Sequence, residues 1–335
     1  MNVEIVTPTI ELPDCEPILD YTTATDEEWH AIRKTGIGGS EAAAVCDMDP
    51  HKSAFVLCAE KTGRIQGFQG NDLTDMGQLM EPHIRQVIIP DYFRRNDIEA
   101  TVIDPTHTYR STRWPWMIVN IDGFVMTDVL KGLEIKNNGE YRLKEYGGID
   151  GDELPDPYYV QDQHAMAVTG LREWWHFAFI GGNRLVWRVV PRNDSFIDWV
   201  VERERQLWEI IQQNEPLLFP LPKGTDADMD ALMEMGAGTV EGVVDLSEVD
   251  DMLDLHVYLG EEIREREAER DMLGVEIINL MGTYSAGETD RHKVGFTRYE
   301  REHIDTGKMK RDHRELVEKY TTWTEVGRLS VRRRK

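Results

Sequence analysis

The sequence predicts an α/β fold in which a central mixed β-sheet is flanked by helices. Short alternating segments typical of strands occur between residues 98 and 190, and segments with helical periodicity precede and follow them. Two of these segments, Trp174–Ile180 and Arg184–Val190, flank Gly181-Gly182-Asn183, which is a strong hairpin signal. The 335 residues are enough to bury a substantial core in one large or two smaller domains.

The composition limits the classes of protein that fit. A hydrophobic content of 40% excludes a wholly disordered chain. No apolar run reaches the roughly 18 residues of a membrane helix, and no basic-then-apolar leader is present. We therefore expect a soluble, cytoplasmic protein. The three cysteines are too few and too scattered for a disulfide scaffold, a zinc site or an iron–sulfur cluster, so we expect free thiols at Cys15, Cys46 and Cys58.

The net charge of −24 argues on its own for an acidic protein without a nucleic-acid partner, because affinity for phosphates comes mostly from lysine and arginine. The charge is unevenly distributed, however. Residues 226–276 hold 17 acidic and 3 basic side chains, whereas residues 277–335 hold 9 acidic and 14 basic ones. An acidic exterior with a local basic channel remains compatible with DNA binding.

A pattern of acidic and basic residues marks a predicted hairpin. The apolar run Met117–Met126 contains Asp122, and the chain returns as Leu133-Glu134-Ile135-Lys136, which predicts two adjacent strands joined by a short turn. Pairing of these strands would set Asp122 beside Glu134. Because side chains alternate along a strand, Glu134 and Lys136 would share one face, with Leu133 and Ile135 on the other.

The hairpin has two explanations. Neighbouring carboxylates repel each other unless a cation neutralises them, and hard oxygen ligands of this kind suit Mg²⁺ or Mn²⁺. Lys136 could then orient or polarise an attacking water. On these residues alone, a surface hairpin with solvated charges is the commoner explanation.

Upstream of the hairpin, a glycine turn lies between two predicted helices. Asp26–Arg33 carries acidic residues in its first turn and ends near Gly36. The turn Gly36–Ser40 leads into Glu41–Val45, with Ser40 as a plausible N-cap. Neither the dinucleotide fingerprint nor the P-loop pattern fits. Free backbone N–H groups at such a helix start can hold an anion, and an ordinary capped helix is the alternative.

Further helices and strands are predicted around these motifs. Thr74–Ile89 has an apolar stripe, contains Glu81 and should end at Pro90. Ser53–Glu60 should be a short amphipathic helix. Strand-like pieces cover Ile98–Ile103 and Thr108–Thr112.

The region after the hairpin is predicted to complete a first domain over residues 1–222. Asn137–Pro157 should be a long loop that contains Arg142, followed by a helix over Tyr158–Val168 with Gln161 in its first turns. Phe196–Ile211 should be an amphipathic closing helix. Residues 223–335 should form an acidic linker, a helical arm over Val249–Met281 and a basic tail.

Six motifs in this order resemble the YqaJ-type viral recombinase family, relatives of the phage lambda exonuclease within the PD-(D/E)XK nucleases. The resemblance covers about residues 25 to 220 and is specific because of the motif order. The motifs are Arg33 to Ala44, Lys61-Thr62-Gly63, Gly77 to Pro82, Asn120-Ile121-Asp122-Gly123, Glu134-Ile135-Lys136 and Tyr158 to His164.

The resemblance implies a restriction-endonuclease-like, lambda exonuclease-like core with a helical C-terminal extension. It also implies roles for single residues. Asp122, Glu134 and the Ile135 carbonyl would bind Mg²⁺, with Mn²⁺ as the alternative ion. The catalytic residues would be Glu81, Asp122, Glu134, Lys136 and Gln161, and the 5′-phosphate of DNA would be held by Arg33, Ser40, Arg142 and Tyr158.

The resemblance further implies a metal-dependent 5′-to-3′ exonuclease that acts on the ends of linear double-stranded DNA. Its partner would be a single-strand annealing recombinase, and it could assemble as a homo-oligomer, a ring-like trimer by resemblance. Two alternatives stay open. One is an endonuclease of the same fold, and the other is a non-catalytic DNA-binding or recombinase-loading protein.

Overall fold

A computed structural model describes residues 10, 12–67, 70–149, 151–323, 326–327 and 329–331. The chain divides into two compact units, Met1–Ala237 and Gly238–Lys335. The final residues of the predicted basic tail, 332–335, lie outside the described residues.

The first unit contains strands and helices in alternation. Its strands are β1 (Cys15–Asp20), β2 (Ile37–Gly38), β3 (Thr101–Ile103), β4 (His107–Ser111), β5 (Met117–Asn120), β6 (Gly123–Met126), β7 (Leu130–Asn138), β8 (Glu173–Ile180) and β9 (Arg184–Pro191). Its helices are α1 (Asp26–Arg33), α2 (Gly39–Val45), α3 (Ala54–Lys61), α4 (Asp72–His83), α5 (Ile89–Arg95), α6 (Asp156–Thr169), α7 (Asp194–Gln213) and α8 (Asp226–Glu234).

The strands form two sheets. A five-stranded sheet has the order β3-β6-β7-β8-β9, in which β7 and β8 are parallel and the other neighbours are antiparallel. A four-stranded sheet has the order β1-β4-β5-β2, with a parallel pair β2 and β5. The predicted mixed α/β architecture is therefore confirmed, and so is the hairpin between β8 and β9.

The prediction of one continuous strand over Met117–Met126 is wrong. The chain leaves the four-stranded sheet after Asn120, at the end of β5, and enters the five-stranded sheet at Gly123, at the start of β6. The polar Asp122 lies in this crossing. Only the second half of the predicted strand, β6, pairs with β7.

Helices cover both faces of the five-stranded sheet. On one face, Phe93 of α5 and the helical turn at Ile84 pack with Leu133 and Ile135 of β7. On the other face, Met166 of α6 lies in a cluster that also holds residues from β5, β6 and β8. Burial on both faces explains why β8 is largely apolar, whereas β7 carries Glu134 and Lys136 on the face that lines a cleft.

Three helix predictions need correction. The helix predicted to end at Pro90 continues, through a π-helical turn over Ile84–Ile88, into α5 as far as Arg95. Proline is tolerated there because it occupies the first turn of α5, where its missing N–H costs little. In the predicted apolar stripe Ile84 is buried, but Met76, Leu79 and Val87 are exposed.

The helix predicted at Ser53–Glu60 is α3, with Ser53 as its N-cap, and it is buried around its circumference rather than amphipathic. Ser40 is not an N-cap. Helix α2 begins one residue earlier than Ser40, and Gly38 occupies the capping position. The predicted loop over Asn137–Pro157 is shorter, because β7 runs to Asn138 and a 3₁₀ helix covers Glu140–Tyr146.

The first unit extends beyond the predicted boundary at 222/223. Helix α8 packs against it, and Ala231 and Phe219 are buried in one cluster with Leu57. The Ser53 hydroxyl donates a hydrogen bond to the Asp228 carboxylate, which is itself buried. These contacts explain why the division falls after Ala237.

The second unit contains the helical arm that the sequence predicts. Helix α9 covers Asp250–Met281, the short strands β10 (Ala286–Glu288) and β11 (Lys293–Gly295) pair antiparallel, and α10 (Thr306–Asp312) and α11 (Arg314–Tyr320) follow. In the part of the chain that the structure describes, no helix is both long and apolar enough to cross a membrane. The three cysteines are free thiols, as predicted.

A chain that ends at Ala237 should unfold cooperatively and keep a melting temperature close to that of the full chain. A chain that ends at Pro222 should lose several degrees or more, because it lacks Ala231 and leaves the Ser53 hydroxyl without its buried acceptor. Thermal unfolding followed by circular dichroism compares the two. Equal stability of both truncated chains would show that α8 is dispensable for the first unit.

Candidate active site

The crossing between the two sheets fixes Asp122 beside Glu134. Gly123 pairs with Leu133 across β6 and β7, which places the preceding Asp122 opposite Glu134. The backbone N–H of Ile135 donates to Asp122 Oδ2 at 2.8 Å. A Cβ atom on Gly123 would lie 2.8 Å from a Leu133 methyl carbon, so any larger residue here would have to displace the buried Leu133 side chain.

Glu134, Lys136 and Gln161 form a hydrogen-bonded group beside Asp122. Lys136 Nζ donates to Glu134 Oε1 at 2.5 Å and to Gln161 Oε1 at 3.1 Å. Gln161 Nε2 donates to the same Glu134 oxygen at 2.6 Å. Leu133 and Ile135 point to the opposite side, into the core. The predicted alternation along β7 is thus confirmed, and α6 brings Gln161 to the polar face.

Glu81 reaches the same cleft from α4 and is held by Arg85, one helical turn later. Arg85 Nη1 donates to Glu81 Oε1 at 2.7 Å and to the carbonyl oxygen of Asp122 at 2.6 Å. Arg85 Nε also donates to Asp104 at 2.8 Å. Arg85 is not among the site residues predicted from the sequence, although its spacing of four residues from Glu81 is typical of helical ion pairs.

The three carboxylates supply oxygen atoms of the kind that suits a hard divalent cation, but they stand apart. Among the described residues, each carboxylate accepts these hydrogen bonds through one oxygen: Oε1 of Glu81, Oδ2 of Asp122 and Oε1 of Glu134. The second oxygen of each carboxylate could then bind a cation in the cleft. As the side chains stand, no cluster of three or more histidines, cysteines or acidic residues within the described ranges is close enough to hold a metal. A cation would have to draw these carboxylates together.

Burial raises the pKa of all three carboxyls. Removal from water, reinforced by the charge of Asp122, raises the pKa of Glu81 to about 7. Removal from water and the nearby Glu134 raise the pKa of Asp122 to about 8. Burial likewise raises the pKa of Glu134 to about 7, even though Lys136 opposes the shift. For Lys136 the effect of burial is outweighed by Glu134 and Asp122, so its pKa is raised and its ammonium group stays charged.

The residues assigned to the 5′-phosphate lie around the same cleft. Arg33, Ser40 and Tyr158 line a cavity of about 520 Å³ together with Glu81, Asp122, Glu134, Lys136 and Gln161. Arg142 joins this group through Tyr158, to whose hydroxyl it donates at 3.3 Å. Arg142 Nη2 also contacts Glu145 at 3.0 Å, and Arg142 Nε is buried without a hydrogen-bond partner among the described residues.

Arg33 is held in place by a buried ion network. Glu41 accepts from Arg33 at 3.3 Å, from Lys61 at 2.7 Å and from the Gly38 N–H at 2.8 Å. The Arg33 guanidinium also lies over the ring of Trp29, 4.9 Å from its centre. Because Glu41 already occupies the Gly38 N–H, the predicted glycine cradle offers fewer free donors than expected. The sequence analysis did not identify Glu41 or Lys61 as site residues.

Part of this chain matches the model of a known protein family. Residues 28–172 match the model of the YqaJ-like viral recombinase domain. The resemblance seen in the motif order is therefore confirmed.

Two relatives and one solved structure illustrate the extent of similarity. The uncharacterized protein YqaJ of Bacillus subtilis (strain 168) is 25% identical over 314 residues, 91% of this chain and 94% of that protein. Protein D345L of African swine fever virus (strain Badajoz 1971 Vero-adapted) is 36% identical over 62 residues, 18% of each chain. An alkaline exonuclease (LHK-Exo) from Laribacter hongkongensis has a TM-score of 0.45 and 21% identity, covering 56% of this chain and 93% of that one.

The raised pKa values predict how a metal ion and pH act together on stability. A carboxyl whose pKa is raised on folding contributes stability below its unfolded pKa, and this contribution is lost as the pH rises through the folded value. The metal-free protein should therefore lose stability between about pH 4 and pH 8, where Glu81, Asp122 and Glu134 ionise. Mg²⁺ should raise the melting temperature more at about pH 8.5 than at about pH 5.5, because it binds the ionised groups.

Thermal shift with and without Mg²⁺ measures this effect. Asp122→Asn should abolish the extra stabilisation by Mg²⁺ at high pH, whereas Glu99→Gln, a change at an exposed carboxyl, should not. A Mg²⁺ response in Asp122→Asn equal to that of the wild type would exclude Asp122 as a ligand.

Proposed function

We propose that this protein is a metal-dependent deoxyribonuclease that degrades one strand of linear double-stranded DNA from its 5′ end, in phage-type recombination. The observation that carries the proposal is one cleft lined by Glu81, Asp122, Glu134, Lys136 and Gln161. Three acids, one lysine and one amide converge there from α4, the sheet crossing, β7 and α6. The match of residues 28–172 to the YqaJ-like viral recombinase domain supports the recombination context.

The charge of the cleft explains why a cation is needed. A phosphodiester is an anion, and Glu81, Asp122 and Glu134 would repel it once they ionise. Asp122, Glu134 and the carbonyl of Ile135 would hold Mg²⁺, with Mn²⁺ as a substitute, and Glu81 would assist. When bound, the cation would lower the pKa of a water molecule and offset the charge that builds on the phosphate.

Lys136 and Gln161 would position the attacking water. Both already contact Glu134 Oε1, so their donors lie at the edge of the carboxylate that would face the reaction. Because Glu134 and Asp122 keep Lys136 protonated, we assign it to hydrogen-bond donation and charge stabilisation, and not to proton acceptance. Arg85 would keep Glu81 and the Asp122 backbone aligned.

The basic residues of the cleft would make the enzyme begin degradation at a DNA end. A terminal 5′-phosphate carries more negative charge than an internal phosphodiester, and Arg33, Ser40, Tyr158 and Arg142 would bind it through charge-assisted hydrogen bonds. The family resemblance extends the proposal to a single-strand annealing recombinase as partner and to a ring-like homo-oligomer. The DNA substrate would place this activity in the cytoplasm.

The proposal is tested by digestion of end-labelled linear and covalently closed circular duplex DNA with Mg²⁺, with and without a chelator. We expect loss of the linear substrate only, and only without chelator. Lys136→Ala should reduce cleavage about 10²-fold or more while DNA binding persists, because it removes a positioned catalytic group. Lys144→Ala, an exposed lysine outside the cleft, is the matched control.

Each of three results would decide against part of this proposal. Cutting of closed circles would indicate an endonuclease of the same fold. Near-normal turnover by Lys136→Ala would remove the catalytic assignment. DNA binding without any metal-dependent cleavage would leave a recombinase-loading role.

A second prediction concerns the 5′ end. The wild type should degrade 5′-phosphorylated duplexes faster than 5′-hydroxyl duplexes, and Arg33→Ala should lose this preference while it still requires Mg²⁺. Arg33→Lys should restore only part of it, since a lysine cannot form the two parallel hydrogen bonds of a guanidinium. Arg172→Ala, at an exposed arginine, should behave as wild type. Equal wild-type rates on the two ends would remove the phosphate pocket and leave the metal site standing.

A further inference from the structure

Helix α9 of the second unit has apolar side chains on one side that are exposed to solvent. The helix spans 32 residues, and it contains no buried residue. Six apolar residues on one side of it are between 44% and 85% exposed: Met252, Leu255, Leu259, Leu273, Ile277 and Leu280. An isolated helix gains most of its stability from packing an apolar face, so two exposed apolar groups on one side of the same helix indicate a partner.

These side chains follow the spacing of a coiled coil. Met252, Leu259, Arg266, Leu273 and Leu280 recur at intervals of seven residues, which is the period that keeps one seam facing a neighbouring helix. At 1.5 Å per residue this seam is about 42 Å long. Leu253 and Val257, which are partly buried, lie on another side of the helix. The apolar residues of the seam are accessible, and exposed apolar residues such as Ile263, Met272 and Val275 also lie off it.

The seam reads the same from either end. Between its two apolar ends lie Glu262, Arg266 and Arg270. Including these, successive seam residues are separated by three, four, three, four, four, three, four and three positions, a palindrome centred on Arg266. The two consecutive steps of four form a stutter, which locally unwinds a coiled coil without breaking its seam. A symmetric seam is complementary to a second copy of itself that runs in the opposite direction.

We propose that α9 pairs with α9 of a second copy of this chain as an antiparallel coiled coil with its two-fold axis at Arg266. In this register Met252 lies opposite Leu280 of the other copy, and Leu259 lies opposite Leu273. The same register sets Glu262 opposite Arg270 twice, once on each side of the axis. Apolar residues thus meet apolar ones at both ends, and opposite charges meet near the middle.

Charge distinguishes this arrangement from a parallel pair. A parallel pair would oppose Glu262 with Glu262 and Arg270 with Arg270, and like charges across a coiled coil are unfavourable. The antiparallel pair opposes like charges only at Arg266 along the seam. There Glu269 of the same chain contacts Arg266 at 3.0 Å and offsets its charge. Because the sequence complements itself so closely, the second copy is the occupant that the observations favour.

The first experiment measures the mass of the full-length protein across a concentration series by analytical ultracentrifugation. The double variant Leu259→Lys/Leu273→Lys should weaken self-association at least about a hundredfold, because it places four charges in the apolar seam. The control variant Val275→Lys/Ile278→Lys changes two exposed apolar residues of the same helix that lie off the seam, and it should associate as the wild type does. Equal association of the two double variants would overturn the proposal.

Charge reversal separates pairing from loss of helix structure. Glu262→Arg alone should weaken association, and Glu262→Arg/Arg270→Glu should restore it, because the opposite charges face each other again across the axis. An unstable helix would not be rescued by a second charge reversal. Failure of the double variant to recover would therefore overturn the predicted register.

Cysteine cross-linking settles the direction. Under mild oxidation, a mixture of Leu259→Cys and Leu273→Cys proteins should form disulfide-linked dimers between the two variants, whereas each variant alone should not cross-link beyond the wild-type background. The native thiols supply that background, and Cys46 and Cys58 are buried. Efficient cross-linking of each variant with itself would show a parallel pair, and no cross-linking in the mixture would show that the helices do not meet; either result overturns the proposal.

Discussion

Repulsion among three carboxylates that line one cleft is the constraint on which the site depends. Glu134 is buried and Glu81 and Asp122 are partly exposed, and their partial removal from water raises the pKa of each. Arg85 and Lys136 supply the compensating positive charge in the chain by itself, each through a contact to one carboxylate oxygen. A bound cation would stabilise the ionised forms of these three carboxylates. The cleft is therefore suited to binding a cation.

The change of sheet between β5 and β6 makes this cluster possible. A continuous strand would have sent successive side chains to alternate faces, and Asp122 would have taken its place in that alternation. Because the chain leaves one sheet and joins another at Ile121-Asp122, the Asp122 carboxylate can turn toward the backbone of β7 and accept from Ile135. The Gly123 position allows the two strands to approach closely enough for this contact.

A second ion network supports the other end of the cleft. Glu41 is almost wholly buried, yet it has the paired charges of Lys61 and Arg33 and a backbone donor, which lower its pKa against the effect of burial. Arg33 is the member of this network that lines the cleft. The network therefore joins α1, α2 and α3 into one rigid support for a guanidinium that would otherwise be a flexible side chain.

The sequence by itself determined the mixed α/β class, the β8–β9 hairpin, the pairing of Glu134 with Lys136 on one strand face and the long arm α9, because each depends on a local period or turn. Tertiary structure decided the rest. The contact of Arg85 with the Asp122 carbonyl, the buried network around Glu41 and the packing of α8 through Asp228 all join residues that are distant along the chain. The change of sheet at Asp122 likewise depends on the partners of β5 and β6 in two different sheets. Such contacts are selected by the complementary burial of charge and apolar surface between elements, and no periodicity within a single segment records them.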